Sequence, residues 1–285
     1  MKFIEPQKFF RKFELLDFPQ PEIIPLKYPV FLCHGYGGIA GLIRPSPLHA
    51  PCMVLRSYGI HAFAPNIVPY ARISTRAELW ADKIEQIKQQ YGYEKVNVVG
   101  HSMGGLDIRY AISNLGIGSS VASYTSIATP HQGTTLAELV LNTPEVLREK
   151  LGDMFDWFGE SIFPQTKSDA VAAVEQLTRE YVTKEFNPYN PDDEHIDYYS
   201  FSAAVGKGTK QPLNPIYRYQ NHHIFSHEGI NDSFVSVESA KWGTHLQTAP
   251  ISHMEQLDLQ VNKERKKYVN QFWLDLVENL RENQF

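Results

Sequence analysis

The 285 residues carry 27 Lys+Arg against 32 Asp+Glu, a net charge of -5, with no basic run long enough to serve as a nucleic-acid-binding tail. That length suits one large α/β domain, or a core with an inserted subdomain. Aromatics are plentiful (16 Phe, 15 Tyr, 4 Trp), enough to line an apolar cleft as well as a core, yet no window reaches the ~18 apolar residues of a transmembrane helix.

Residues 1–27 mix Phe3, Phe9, Phe10, Phe13 and Phe18 with Lys2, Lys8, Arg11 and Lys12. They read as an arm covering a sheet edge, with a membrane-surface segment as the alternative. The opening residues hold charges and a proline where a signal peptide needs an apolar stretch. A cytoplasmic location is therefore the default expectation, and secretion would require a leader already removed. Tyr28 to His34 reads as a strand entering the glycine-rich His34-Gly35-Tyr36-Gly37-Gly38. Cys33 within it reads as a buried free thiol, with no disulfide to Cys52. Ile60 to Pro65 reads as the next strand. Thr75-Arg76-Ala77-Glu78 has capping-box spacing, Trp80, Ile84, Ile87 and Tyr91 follow at helical spacing, and Gly92 supplies a stop. Strand, helix and strand in that order make a right-handed crossover between parallel strands.

Val96, Val98 and Val99 form a β-branched run of the kind found in strands buried on both faces. Gly100-His101-Ser102-Met103-Gly104 then matches Gly-x-Ser-x-Gly, a tight strand-to-helix turn that lifts a serine hydroxyl clear of its neighbours. The segment with Leu106, Ile108, Tyr110 and Ile112 reads as the following helix. Val121 to Ala128 reads as a strand ending in Thr129-Pro130-His131-Gln132-Gly133. From Thr134 to about Asn187 the pattern turns helical and strongly apolar (Leu136, Leu139, Val140, Leu147, Leu151, Met154, Phe155, Trp157, Phe158). That stretch is too long for one crossover and reads as an inserted helical cap over 134–190, or else as a plain helix pair. Ile196 to Ala204 returns to a strand, a loop-rich region runs to Glu228, and Asn231 to Val235 is a short strand-like piece. Val269, Phe272, Leu276 and Leu280 form one face of a closing helix.

A serine hydroxyl needs a base to take its proton. In the chain order Ser, acid, His, the base comes after a late strand, and His253 stands just before the closing helix. Asp232 precedes it as the orienting acid, with Glu228 and Asp197 as rivals. An oxyanion needs preorganised donors; the Met103 amide follows the serine directly, and the Tyr36 amide lies in the loop after the first central strand. His222, His223, His227 and Glu228 read as a polar loop, with a transition-metal site as the alternative.

Assembled in this order, the chain resembles the bacterial true lipases, triacylglycerol lipases of the α/β-hydrolase fold. The resemblance rests on His34-Gly35-Tyr36-Gly37, on Val96 to Gly105, and on Ala128-Thr129-Pro130-His131-Gln132-Gly133-Thr134. It continues through Tyr198-Tyr199-Ser200-Phe201-Ser202, Asn231-Asp232 with Val235, and Ser252-His253-Met254-Glu255-Gln256. It implies a mostly parallel central sheet with helices on both faces and an inserted cap. It also implies Ser102 as nucleophile, Asp232 as acid, His253 as base, and the Tyr36 and Met103 amides as the oxyanion hole.

Three positions depart from the family. Ser233 follows the acid where the family commonly has glycine, and Glu238 stands where several members carry a cysteine. Glu255 takes the place of one calcium-binding aspartate, and no aspartate lies between Asp197 and Asp232 to be the other. No cofactor or metal is therefore expected to be required, with a structural calcium as the alternative. The expected activity is hydrolysis of lipid-like esters through an acyl-enzyme, with a small-ester esterase or an acyltransferase as alternatives. The expected partners are the ester substrate and, transiently, a lipid surface, with Trp157 and Phe158 of the cap on the acyl chain.

Overall fold

The computed structural model describes residues 23–35, 45–143, 167–259 and 262–285. Six strands are found there: β1 (Val30–Cys33), β2 (Ala62–Phe63), β3 (Val96–His101), β4 (Val121–Ile127), β5 (Asp197–Ala203) and β6 (Thr244–Ala249). They form one sheet in the order β2-β1-β3-β4-β5-β6. Every pairing is parallel. Parallel neighbours need crossovers, which here are helical. The longer helices are α1 (His49–Ser57), α2 (Ile73–Tyr91), α3 (Met103–Leu115), α4 (Thr135–Asn142), α5 (Lys167–Glu175), α6 (Arg218–Glu228) and α7 (Lys263–Glu282).

The two-residue period of a strand sorts the core into two faces. Val30 and Leu32 of β1 pack with Leu55 of α1 and with Val269, Phe272, Trp273, Leu276 and Leu280 of α7. Phe31 and Cys33, one step out of phase, pack with Ala77, Trp80 and Ile84 of α2 and with Ile108 and Ile112 of α3. A third cluster lies where β3 gives way to α3. It joins Met103 and Leu106 to Leu136 and Val140 of α4, Val174 of α5, Ile224 of α6, and Phe234 with Val235. The described ends of the expected cap, α4 and α5, thus sit against the start of α3. The remainder of the expected cap, with Trp157 and Phe158, and the expected N-terminal arm up to residue 22 lie outside the described residues. Among the described residues no helix is long and apolar enough to cross a membrane.

Several expectations are corrected. The second strand is only Ala62–Phe63, not Ile60 to Pro65. The Thr75–Glu78 spacing is not a capping box, because α2 begins earlier, at Ile73, with Arg72 before it. The Ile73 N–H instead donates to Gln176 Oε1 at 2.7 Å, so a distant side chain does what a local cap would do. The region before Glu228 is not loop throughout, since α6 places His222, His223 and His227 on a helix. Both α1 and β6 are additions. β6 is a half-exposed edge strand with Thr244, His245, Gln247 and Thr248, so it lacks the apolar alternation that marks a strand. Cys33 and Cys52 are both buried and free.

Candidate active site

The serine turn is built by backbone packed on backbone. Ser102 sits between β3 and α3 with φ 55 and ψ -132, a backbone geometry that costs free energy and persists only when its surroundings over-determine it. Its N–H donates to Ile127 O of β4 at 2.9 Å. A Cβ on Gly104 would lie 2.5 Å from Cys33 O and 2.7 Å from His34 O, so only glycine lets the helix start approach the end of β1. A Cβ on Gly35 would stand 2.6 Å from Ser102 Cβ and 3.0 Å from Met103 N. Gly35 therefore keeps the space beside the Met103 amide open. That amide opens α3, where the first N–H groups have no carbonyl partner within the helix. Tyr36, the other expected oxyanion donor, follows Gly35 and lies outside the described residues.

A buried ion pair braces the loop that leads to Tyr36. Arg76 of α2 donates through Nη2 to His34 O at 2.6 Å and Gly35 O at 3.2 Å, and through Nη1 to Val68 O at 2.8 Å. Its Nε donates to Asp107 Oδ2 of α3 at 2.9 Å, which also accepts from Trp80 Nε1 at 3.2 Å. Burial pushes the Asp107 carboxyl up to about 6, outweighing the attraction of Arg76. His34 accepts the Ile67 N–H at Nε2, 3.3 Å, which leaves its proton on Nδ1. Burial first, and then Arg76, lower its pKa to about 3, so it stays neutral. Burial likewise lowers His101 and His131 well below the ordinary histidine value.

The late loops are held by side chains. Asp232, fully buried, accepts at Oδ1 from the Phe234 and Val235 amides at 2.9 and 2.8 Å. Its Oδ2 accepts from His253 Nδ1 at 2.7 Å and from Gln256 Nε2 at 3.0 Å. With Nδ1 donating to Asp232, His253 presents its Nε2 with no hydrogen-bond partner among the described residues. Phe234 stacks on the imidazole with centroids 4.8 Å apart, and the His101 ring, next to Ser102 in the chain, lies 4.6 Å from it. His253 opens a helical turn whose cap is reciprocal: Ser252 Oγ accepts from Glu255 N, and Glu255 Oε2 accepts from Ser252 N.

The structure thus brings His253 onto Asp232 and the neighbour of Ser102 against His253. The rival acids are elsewhere. Glu228 Oε1 accepts from Thr135 N and Thr135 Oγ1, both at 2.6 Å, and its Oε2 accepts from Ser236 Oγ at 2.8 Å. Asp197 is the exposed first residue of β5. His131 is buried against Ser126 Oγ at 3.0 Å and stacks on Trp242. Among the described residues no group of three or more His, Cys, Asp or Glu is placed to hold a metal ion. Sequence reasoning missed Arg76, Gln256 and Arg265. For Gln256 a signal existed: three residues after His253 on a helical turn, it shares that residue's face.

The family described as alpha/beta hydrolase fold matches residues 28–167. The chain is 26% identical over 281 residues to triacylglycerol lipase 2 of Saccharomyces cerevisiae, covering 82% of this chain and 80% of that one. It is 23% identical over 270 residues to a triacylglycerol lipase of Pseudomonas fragi, covering 85% and 91%. Among solved structures it is similar to the Staphylococcus hyicus lipase, with a TM-score of 0.67 and 18% identity over 93% of this chain and 98% of that one.

Proposed function

Because the chain is an α/β-hydrolase related to the triacylglycerol lipases, we propose that it hydrolyses lipid-like carboxylic esters through an acyl-enzyme on Ser102. One observation carries this reading. His253 is fixed on Asp232 through Nδ1, its Nε2 has no hydrogen-bond partner among the described residues, and its ring lies 4.6 Å from that of His101, the chain neighbour of a serine held at a strained strand-to-helix turn.

In this mechanism His253 Nε2 takes the Ser102 proton as Oγ attacks the ester carbonyl. Asp232 holds the imidazole in the required tautomer and stabilises the imidazolium. The developing oxyanion is met by the Met103 amide and by the Tyr36 amide, each donor contributing roughly 10²–10³ in rate. His253 then protonates the leaving alcohol, and water activated by the same nitrogen releases the acid. No step calls for a metal, and a chelator is expected to leave activity unchanged. From their sequence alone, we propose that Trp157 and Phe158, within the stretch 134–190 expected to be a cap, contact the acyl chain.

The test is labelling with a fluorophosphonate followed by an ester chain-length panel. Labelling should occur in the wild type, vanish in Ser102→Ala and fall by several orders of magnitude in His253→Ala. Turnover should favour medium or long acyl chains over acetate. A folded wild-type protein that resists the label has no activated serine, and a profile peaking at acetate would make it a small-ester esterase.

A further inference from the structure

The loop that carries His253 is gripped from α7 by a guanidinium, beside the Trp273 Nε1 bond to Gln256 O at 3.1 Å. Arg265, in the first turn of α7, donates through Nε to Glu255 Oε1 at 2.5 Å and through Nη2 to Glu255 Oε2 at 2.9 Å. The same Nη2 donates to Pro250 O at 2.6 Å, and Nη1 donates to Gln211 Oε1 at 3.3 Å. Glu255 Oε2 also accepts from the Ser252 amide at 2.7 Å. One planar group therefore fixes both ends of Pro250 to Glu255, and His253 lies between them. Arg265 and Glu255 side chains are each only 10% exposed, and the carboxylate raises the guanidinium's pKa above its ordinary value. The start of α7 is itself anchored, because Asn262 Oδ1 accepts from Arg265 N at 3.0 Å.

We propose that Arg265 is a positioning residue that holds the His253 loop in register with Ser102. The proposal rests on the reading of His253 as the base. A desolvated ion pair adds little net stability over an apolar pair of the same volume. What the guanidinium adds is direction: a bidentate fork fixes the orientation of a carboxylate as well as its distance. Asp232 fixes the imidazole through Nδ1 and holds the His253 N–H at its own backbone carbonyl, 3.1 Å. Neither contact reaches Pro250 or Glu255. Without Arg265 the segment keeps its tie to Asp232 and loses the grip that fixes its ends.

The experiment compares kcat, KM and melting temperature in Arg265→Ala, Arg265→Lys and Glu255→Gln, with His253→Ala as control. In Arg265→Ala kcat should fall about 100-fold, as expected for a misplacement of roughly 1 Å, with KM unchanged. Arg265→Lys should fall between that variant and the wild type. Millimolar guanidinium should restore part of kcat to Arg265→Ala and none to Arg265→Leu, whose side chain fills the space. The proposal is overturned if these variants melt lower but turn over like the wild type at temperatures where they are folded. If Arg265→Ala does not fold, Arg265→Lys and Glu255→Gln decide by the same split, and failure of all three to fold makes the pair a folding element instead. If His253→Ala stays active, the reading of the base falls whatever Arg265 does. If His253→Ala is inactive while kcat survives in the Arg265 variants, only the clamp falls.

Discussion

Around Ser102 main chain meets main chain at glycines, with the Arg76 guanidinium bracing the adjoining loop, whereas around Asp232 and His253 the loops are tied mainly through side-chain hydrogen bonds. Gly104 and Gly35 let main chains meet at distances that a methyl group would occupy. On the other side Asp232 gathers four donors, and a reciprocal cap closes the His253 turn. The first arrangement tolerates almost no change of residue type, because a carbonyl oxygen cannot retreat from an added Cβ. The second leaves more room at Gln256, because other side chains can donate to a carboxylate. The two halves should therefore fail in different ways.

The largest difference is expected at Gly104. Gly104→Ala drives a methyl group into the Cys33 and His34 carbonyls and should cost about 3 kcal/mol or more, seen as a lowered denaturant midpoint. A wild-type midpoint would mean that the contact between β1 and α3 is soft. Acid should separate the halves next, because neutral buried histidines lie on the serine side. The folded-state pKa of His34, about 3, lies below its unfolded value. Between roughly pH 6.5 and 3 the unfolded chain therefore binds a proton that the folded chain refuses, and stability is lost as pH falls. Each such group removes about 1.4 kcal/mol per pH unit in that window. Asp107, raised to about 6, acts in the opposite sense between its unfolded and folded values and offsets part of the loss. His34→Asn should flatten the fall in melting temperature between pH 6 and 4, and an unchanged slope would move the acid sensitivity elsewhere. The smallest effect is expected at Ser233, whose φ of 87 is left-handed. Ser233→Gly should gain about 1 kcal/mol by relieving that backbone, and a lower melting temperature would show that its buried hydroxyl matters more than its strain.

This contrast also accounts for what could be read from the chain. The serine turn was legible because close approach demands glycine at fixed spacing around Ser102. The fold followed from Val96 to Val99 and from the amphipathic spacing of α2. Ser233 explains itself only in the structure: the family's glycine suits a positive φ, which serine adopts here under strain. Arg76 and Arg265 were hidden because nothing local distinguishes a bracing guanidinium from a solvated one, whereas Gln256 was marked by its spacing from His253. α6 was hidden because it buries Gln220 and Asn221 beside Ile224, so no apolar stripe announces it. β6 was hidden because an edge strand can be polar on both faces.

Among the described residues the sheet has no hairpin, and that bears on the order in which the protein becomes itself during synthesis. β1, β3 and β4, the strands that pack around the serine turn, are complete by Ile127. The imidazole follows β6, 151 residues after the serine (253 − 102). At about 5–20 residues per second of chain growth, the serine exists for roughly 8–30 s before its partner has been made. Through that interval β5 and then β6 are added beyond β4, while the base proposed for Ser102 has yet to be made. If His253 is the base, as proposed above, chemistry begins only after residue 253 has been added, and a chain cut short before it is expected to be inert as well as unfinished.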